Sequence, residues 1–229
     1  MARFHPDYWV YYKWIKPLQE PAMIVSSNTD SNHNRSIVIC ISGLAGTGKS
    51  TVARRLAKKF CLKYYSGGDA LKALASEEGY DASKPGWWES PVGLEFLKQR
   101  QGDSKFDEAI DQRLLEYAKQ GNVLLDSWTM PWLVKNGFRV WLLASLEKRA
   151  ERVAKRDGLS VQEALEVLKE KEERTRAIYE KLYGFSLGED FNPFDMILDT
   201  EKLDADEVFQ VLCQVVNNMV LEKQNFSHQ

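Results

Sequence analysis

Apolar residues fall into short runs that are separated by helical patterns. Residues 37–41 (IVICI) form an unbroken apolar run, typical of a central parallel strand that is buried on both faces. Directly after it, Val52, Leu56 and Phe60 recur every four residues and predict an amphipathic helix. Further strands are predicted near residues 63–66, 122–126, 139–143 and 195–199. This alternation of strands and helices predicts an α/β fold with a parallel sheet.

Polar residues that precede periodic apolar segments predict where the later helices begin. Ser104, Ser145 and Ser160 are each expected to cap a helix, and Asp204 is expected to open the last one. The glutamate three residues after Ser160 has the spacing of a capping box. Residues 79–102 contain several glycines and prolines and are predicted to form a loop-rich insertion.

The beginning of the chain differs from the rest. Residues 1–18 are rich in aromatic side chains, and residues 26–36 form a polar Ser/Asn stretch that is typical of a linker. We expect residues 1–35 to form an aromatic arm and linker, with one domain over residues 36–229. Because exposed aromatic clusters usually mark contacts, the arm is expected to contact the body, a second subunit or a partner.

Composition narrows the class of protein. A chain of 229 residues, 44% of them hydrophobic, can form one ordinary domain with a small lid. A net charge of −2 indicates no broad attraction to nucleic acid or to an anionic membrane. Three cysteines make no disulfide framework, and no apolar run approaches the roughly 18 residues of a membrane span. We therefore expect a cytoplasmic protein. His5, His33 and His228 are confined to terminal segments, which argues against histidine triads or zinc sites in the body.

Residues 43–50 (GLAGTGKS) fit the phosphate-binding pattern G-x-x-x-x-G-K-[ST] and lie between the predicted strand and helix. The glycines let successive backbone N–H groups point at phosphate oxygens. Lys49 is expected to reach the β- and γ-phosphates of ATP, and the Ser50 hydroxyl to ligate Mg²⁺. The predicted nucleotide-binding residues are Gly43, Leu44, Ala45, Gly46, Thr47, Gly48, Lys49, Ser50 and Thr51.

Carboxylates follow two of the predicted strands. Asp126 ends the apolar run 123–125 and is expected at the carboxyl edge of the sheet, where it can hold Mg²⁺ directly or through water. The alternative is that Asp126 caps the next helix. Asp69 follows the turn after residues 63–66, and it either caps the next helix or acts at the acceptor hydroxyl.

Three arginines share one face of a predicted helix. Arg149, Arg152 and Arg156 stand at i, i+3 and i+7, and none has an acidic residue three or four positions away. Guanidinium groups without a partner in their own helix suit the fork geometry of phosphates and stabilise charge during transfer. The alternative is a solvated basic face. Arg152 and Arg156 are predicted to be catalytic, together with Lys49 and Asp126.

Together these motifs favour a small P-loop kinase. The chain lacks the N-K-x-D motif of GTPases, is too short for a AAA module, and has no ABC signature at the required distance. The ordered set of motifs resembles the archaeal-type cytidylate kinases, which belong with adenylate kinase among the P-loop nucleoside monophosphate kinases. The resemblance rests on residues 41–51, 65–69, 121–126, 149–156, 179–184 and 194–200.

The resemblance implies a fold and an activity. The expected fold is a three-layer one, with a five-stranded parallel sheet flanked by helices. The acceptor-binding segment is expected at about residues 67–120 and the lid at about residues 150–184. The implied activity is the Mg²⁺-dependent transfer of a phosphoryl group from ATP to a nucleoside monophosphate, first of all CMP or dCMP. No nucleic acid or membrane partner is implied.

The departures from the family pattern lie on the acceptor side. Lys72, Trp128, Lys171 and Ile178 stand where the resemblance leads us to expect arginine. Lys72 can hold the acceptor phosphate as a point charge, with nearby arginines of the lid as substitutes. The residues predicted to bind the acceptor are Asp69, Lys72, Trp128 and Arg149.

Two other functions stay open at this point. Trp128 with Trp87 and Trp88 can instead shape a pocket for another small acceptor, which would make the protein a P-loop kinase of a different substrate. The third possibility is a nucleotide-binding interaction protein whose aromatic arm docks a partner.

Overall fold

A computed structural model describes residues 10–12, 37–84 and 86–225 of the chain, with side chains described over 37–84 and 86–219. Its six strands are β1 (Val10–Tyr12), β2 (Val38–Ser42), β3 (Lys63–Ser66), β4 (Val123–Asp126), β5 (Phe138–Leu143) and β6 (Met196–Asp199). They form one sheet in the order β1-β6-β5-β2-β4-β3. The strands from β2 to β6 are parallel, and β1 adds to the edge beside β6 in the antiparallel direction. The predicted five-stranded parallel sheet is confirmed.

Eight α-helices accompany the sheet in the described residues. They are α1 (Lys49–Lys59), α2 (Gly67–Glu77), α3 (Pro91–Gly102), α4 (Lys105–Gln120), α5 (Met130–Leu133), α6 (Leu146–Asp157), α7 (Val161–Tyr183) and α8 (Ala205–Asn225). A short 3₁₀ turn, Trp87–Glu89, precedes α3. None of the helices in the described part of the chain is long and apolar enough to cross a membrane.

The central strand β2 divides the core into two halves. All five of its residues are buried, and four of them belong to the unbroken apolar run 37–41. Ile39 and Ile41 pack in a cluster with apolar residues of α1 and α8. Val38 and Cys40 point to the opposite face and pack with apolar residues of α2 and α4. Because successive strand residues face opposite sides, one apolar run supplies both interfaces of a three-layer fold.

Residues 79–102 do not form the loop-rich insertion that we expected, because α3 occupies the second half of this segment. Ser90 caps α3, since its side chain accepts a hydrogen bond from the Gly93 N–H at 3.2 Å, and Pro91 opens the helix. A side chain at position 93 would meet the Trp87 carbonyl oxygen at 2.1 Å, so only glycine fits there. A serine followed by a proline is a typical start of a helix. We missed this signal because the segment contains so many glycines and prolines.

Of the four residues that we expected at helix starts, three accept hydrogen bonds from backbone N–H groups in the first turn. Ser145 and Ser160 cap α6 and α7, and Ser160 forms the complete capping box. Asp204 accepts hydrogen bonds from backbone N–H groups in the first turn of α8. Ser104 precedes α4, but its side chain accepts no capping hydrogen bond from the helix; its hydroxyl donates to the Glu108 carboxylate at 2.8 Å.

Of the aromatic arm, only residues 10–12 lie within the described part of the chain. In this short strand Val10 is opposite Leu198 and Tyr12 is opposite Met196. The rest of the arm and the linker up to residue 36 lie outside the described residues. What the arm contacts beyond β6 stays a prediction.

Candidate active site

One cavity of about 470 Å³ opens at the carboxyl ends of the parallel strands, where open α/β sheets bind ligands. On one side it is bounded by the donor wall, which we define as the P-loop residues that line it together with Asp126. On the other side is the acceptor wall, which we define as Lys72, Trp88, Arg100, Asp107 and Asp111. The helices α6 and α7 of the predicted lid complete the enclosure.

The P-loop is shaped by glycines and by internal hydrogen bonds from Thr47 to Leu44. Gly46 has a positive φ of 86°, and a side chain there would meet the Arg149 carbonyl oxygen at 2.8 Å. The Thr47 hydroxyl closes the loop by donating to the Leu44 carbonyl at 2.9 Å. Among the nine predicted nucleotide-binding residues, those that line the cavity are Ala45, Gly46, Gly48, Lys49, Ser50 and Thr51, whereas Gly43, Leu44 and Thr47 lie outside the lining and shape the loop.

The first turn of α1 is left open for a ligand. Gly48 is the N-cap and supplies no side-chain hydrogen bond, and the first turn contains no acidic residue. The N–H groups and the positive end of the helix therefore face the cavity without an internal acceptor from a capping side chain. This arrangement is suited to binding an anion such as a phosphate.

Trp128 contacts two residues of the P-loop. Its indole N–H donates to the Gly43 carbonyl at 2.6 Å, and the Lys49 ammonium lies 5.5 Å from the centre of its ring. We predicted Trp128 as an acceptor-binding residue, and it does line the cavity. The hydrogen bond shows in addition that it supports the P-loop directly, so replacing it would disturb the donor wall as well.

Asp126 lies at the end of β4 and is buried. The Tyr64 hydroxyl donates to its Oδ2 atom at 2.9 Å. Burial and the Asp126 carboxylate raise the pKa of Tyr64, so the phenol stays a donor at neutral pH. Asp126 and Ser50 line the same cavity, and one carboxylate with one hydroxyl is a donor set that Mg²⁺ accepts when phosphates and waters complete its shell. The described residues contain no cluster of three or more His, Cys, Asp or Glu that would form a metal cage.

Asp69 does not cap α2, so that alternative is wrong. Ser66 is the N-cap, and its hydroxyl accepts from the Asp69 N–H at 3.1 Å. The Asp69 carboxylate instead pairs with Arg54 at 2.7 Å. Asp69 and Lys72 both line the cavity.

The three arginines of α6 have partners from other elements, which the spacing along one helix does not reveal. Arg149 is buried outside the cavity lining, where it pairs with Glu172 and donates to the Ala45 carbonyl at 3.2 Å. Its predicted role in binding the acceptor is therefore not supported, because its guanidinium is used to hold the back of the P-loop against α7.

The other two arginines do line the cavity, but they are not unpaired. Arg152 donates to the Thr200 carbonyl at 2.6 Å and to the Leu203 carbonyl at 3.3 Å. Arg156 pairs with its neighbour Asp157 at 2.6 Å and with Glu89 at 2.9 Å. The interpretation of three free guanidinium groups is corrected: each is held by contacts that only the tertiary fold brings together.

The acceptor wall contains a buried polar network that the sequence analysis missed. Arg100 pairs with Asp107, with 3.1 Å between Nε and Oδ2, and both side chains are at most 3% exposed. Asp111 accepts from the Thr129 hydroxyl at 2.6 Å and from the Tyr183 hydroxyl at 2.7 Å. Burial raises the pKa of Asp111 to about 6, although these two donors oppose the shift.

A signal for this network was present in the sequence. Asp107, Ile110, Asp111 and Leu114 are spaced i, i+3, i+4 and i+7, so the two aspartates stand on the apolar face of α4. Buried carboxylates need partners, and such positions are candidates for binding or catalysis. The Arg100 partner could not be found in this way, because it belongs to the helix that we had predicted as a loop.

An open phosphate-binding loop and a polar wall line one cavity. A phosphate donor and its acceptor can therefore bind next to each other. The class that this fold and site define is that of the P-loop kinases, which transfer a phosphoryl group between two bound molecules. The model of the cytidylate kinase-like family matches residues 38–202. The chain belongs to that family, and it is accordingly a nucleoside monophosphate kinase, a transferase.

Individual relatives agree with this assignment. The cytidylate kinase of Methanocaldococcus jannaschii is 34% identical over 80% of this chain and 99% of that protein. The cytidylate kinase of Pyrococcus horikoshii is 34% identical over 80% of this chain and 90% of that protein. The resemblance deduced from the motifs is thereby confirmed.

Solved structures show the same fold at lower identity. The shikimate kinase of Bacteroides thetaiotaomicron aligns with a TM-score of 0.51 and 17% identity over 80% of this chain and 99% of that chain. An uncharacterized protein of Eubacterium ventriosum aligns with a TM-score of 0.52 and 16% identity over 80% of this chain and 99% of that chain. At these identities the likeness concerns the fold alone.

Proposed function

We propose that this protein transfers the γ-phosphoryl group of ATP to CMP, which yields ADP and CDP, and that dCMP is a second acceptor. One observation carries the proposal: the P-loop and a buried polar wall line the same cavity of about 470 Å³. The relatives named cytidylate kinase support CMP as the acceptor.

On the donor wall, the backbone N–H groups of the P-loop bind the phosphates of ATP. Lys49 neutralises charge on the transferred phosphoryl group. Ser50 and Asp126 would hold Mg²⁺, which when bound screens the negative charge of the phosphates and orients them. Tyr64 fixes the orientation of the Asp126 carboxylate through the hydrogen bond at 2.9 Å to its Oδ2 atom.

Lys72 of the acceptor wall and Arg156 of α6 are suited to bind the phosphate of CMP. Arg152 of α6 is suited to stabilise charge during transfer. An oxygen of the acceptor phosphate forms the new bond to the γ-phosphorus, while the bond to the bridging oxygen of ADP breaks. Deeper in the wall, Arg100 and Asp111 offer polar atoms for the nucleoside. Trp87 also lines the cavity, and its indole N–H has no acceptor within the described chain. This N–H is a further donor for the nucleoside.

The experiment that tests this function measures ADP release in a coupled assay with purified protein. CMP, dCMP, UMP, AMP and GMP are compared at equal concentration with a control without acceptor. We expect CMP to give the fastest release of ADP, because the relatives that this chain resembles are named cytidylate kinases. If no nucleoside monophosphate accelerates release above the control, the proposed function is wrong.

We further propose that the protein works in the cytoplasm. Cys40, Cys61 and Cys213 are free thiols, and a reducing compartment keeps thiols in that state. Fractionation of cells that express the tagged protein tests this location.

A further inference from the structure

Glu89 is a buried carboxylate in the cavity wall that the mechanism above does not use. It ends the 3₁₀ turn Trp87–Glu89, and its side chain is 4% exposed. Its Oε1 atom accepts from the Lys171 ammonium at 2.6 Å, and its Oε2 atom accepts from Arg156 at 2.9 Å. One carboxylate of the predicted acceptor-binding segment thus contacts both helices of the predicted lid.

Lys171 is itself buried, with 8% of its side chain exposed. Its ammonium lies 5.5 Å from the centre of the Trp88 ring and 5.9 Å from that of Trp128. Aromatic faces attract a cation but do not neutralise it. Among the described residues, Glu89 is the carboxylate that forms an ion pair with Lys171.

The charges around Lys171 favour its neutral form if Glu89 is absent. Burial lowers the pKa of Lys171, and the nearby cations Lys49 of α1 and Arg156 of α6 act in the same direction, while Glu89 opposes them. For Glu89, burial acts to raise the pKa, but Lys171, Arg156 and Lys49 together hold it below its usual value. On the two helices that pack against α7, Arg149 and Arg100 are paired with Glu172 and Asp107, and Asp157 is paired with Arg156.

We propose that Glu89 is a positioning residue for phosphate binding: it keeps Lys171 protonated in the cavity wall, so that Lys171 and Lys49 together bind the phosphate between the two walls. The proposal rests on the proposed function, because that function identifies the phosphate as one that belongs to a bound nucleotide and lies where the phosphoryl donor and its acceptor meet. An ammonium has three N–H donors, and the bond to Glu89 leaves two for the ligand. An arginine stays protonated without such help, whereas a buried lysine needs a counter-ion.

The kinetic test uses Glu89→Gln, which keeps the size of the side chain and removes its charge. We expect the KM for CMP in this variant to rise about tenfold or more across the pH range in which its Lys171 loses its proton, relative to the parent over the same range. The double variant Glu89→Gln, Lys171→Arg should restore the parent's pH profile, because a guanidinium remains charged. The matched control is Glu95→Gln on the exposed surface of α3, which should follow the parent.

A second measurement does not depend on activity. In protein labelled with ¹³C at the ε-carbon of lysine, the NMR signal of Lys171 is identified by its loss in Lys171→Arg. We expect Glu89→Gln to move the titration midpoint of this signal down by at least about one pH unit relative to the parent. An unchanged midpoint overturns the proposal even if CMP is phosphorylated, and a parent that phosphorylates no nucleotide overturns only the proposed function.

Two further outcomes are decisive. If the midpoint falls but the KM for CMP does not change with pH, Lys171 is not a phosphate ligand and the proposal is wrong. If Glu89→Gln does not fold, Lys171→Met and Lys171→Arg are compared instead. We then expect Lys171→Met to raise the KM for CMP about tenfold over Lys171→Arg, and equal KM values would overturn the proposal.

Discussion

The donor wall and the acceptor wall of the cavity are built by different means. The donor wall is made mostly of backbone from one continuous segment, closed by the hydrogen bond from Thr47 to the Leu44 carbonyl at 2.9 Å. The acceptor wall is made of side chains from several successive elements, and a buried ion pair joins Arg100 of α3 to Asp107 of α4. The donor wall therefore offers uncapped N–H groups to the ligand, whereas the charges of Arg100 and Asp107 in the acceptor wall neutralise each other within the protein.

This difference between the walls predicts how amino-acid substitutions in each of them affect the protein. A loop that binds phosphate through backbone N–H groups depends on glycine geometry and on few side chains. A wall of buried ion pairs depends on each partner, because removing one leaves an uncompensated charge in a low-dielectric environment. We therefore expect substitutions in the acceptor wall to affect stability, and substitutions in the donor wall to affect turnover.

The largest effect is expected from breaking the acceptor wall with Asp107→Asn. Arg100 would remain buried without its countercharge, so the free energy of unfolding should fall by about 3 to 5 kcal/mol. Urea unfolding followed by tryptophan fluorescence measures the change. Glu95→Gln, in an exposed pair with Lys98, is the control and should stay within about 0.5 kcal/mol of the parent. A loss below about 1 kcal/mol for Asp107→Asn would show that the pair is not structural.

The donor wall is tested by Lys49→Ala. We expect kcat to fall about 10²-fold or more, which corresponds to about 3 kcal/mol of lost transition-state stabilisation, with little change in thermal stability. Asp126→Asn should also remove most of the turnover. Lys58→Ala, on the exposed face of the same helix, is the control. Near-normal turnover in Lys49→Ala or Asp126→Asn would contradict the donor mechanism.

A third prediction uses pH to probe the acceptor wall. The pKa of Asp111 is about 6 in the folded protein and 3.8 for an unperturbed aspartate, so the folded state binds the proton more tightly. The stability linked to this proton is present below about pH 4 and is lost as pH rises to about 6, a change of about 2 to 3 kcal/mol. Urea midpoints of the parent and of Asp111→Asn should therefore diverge over this range and run parallel above it. Parallel curves throughout would mean that Asp111 titrates normally.

The smallest effect is expected from sharpening the acceptor wall with Lys72→Arg. A guanidinium can bind the acceptor phosphate through two hydrogen bonds where an ammonium is a point charge. The KM for CMP should fall several-fold, about 1 kcal/mol, whereas the KM for ATP should not change. The exposed substitution Lys98→Arg serves as the control. An equal fall in both KM values would place Lys72 nearer the donor than we propose.

Local signals predicted the parts of the fold that local physics determines. The apolar run in β2, the P-loop and the capping box at Ser160 each depend on residues within a few positions of one another, and the structure has them where we predicted. The prediction failed at α3, because glycines and prolines outweighed the Ser-Pro start signal. Gly93 is present there for a tertiary reason, its close approach to the Trp87 carbonyl.

The sequence by itself determined the class of fold and the donor loop, because periodicity and the spacing of glycines control strands, helices and a loop of eight residues. Only the tertiary structure decided which charges are free for a substrate. Arg149 has no acidic residue three or four positions away along its own helix, yet Glu172 neutralises it from α7. Glu89 and Lys171 are 82 positions apart in sequence and form one buried pair. The balance of charge in a buried site is set by distances through space, and these depend on how the helices pack.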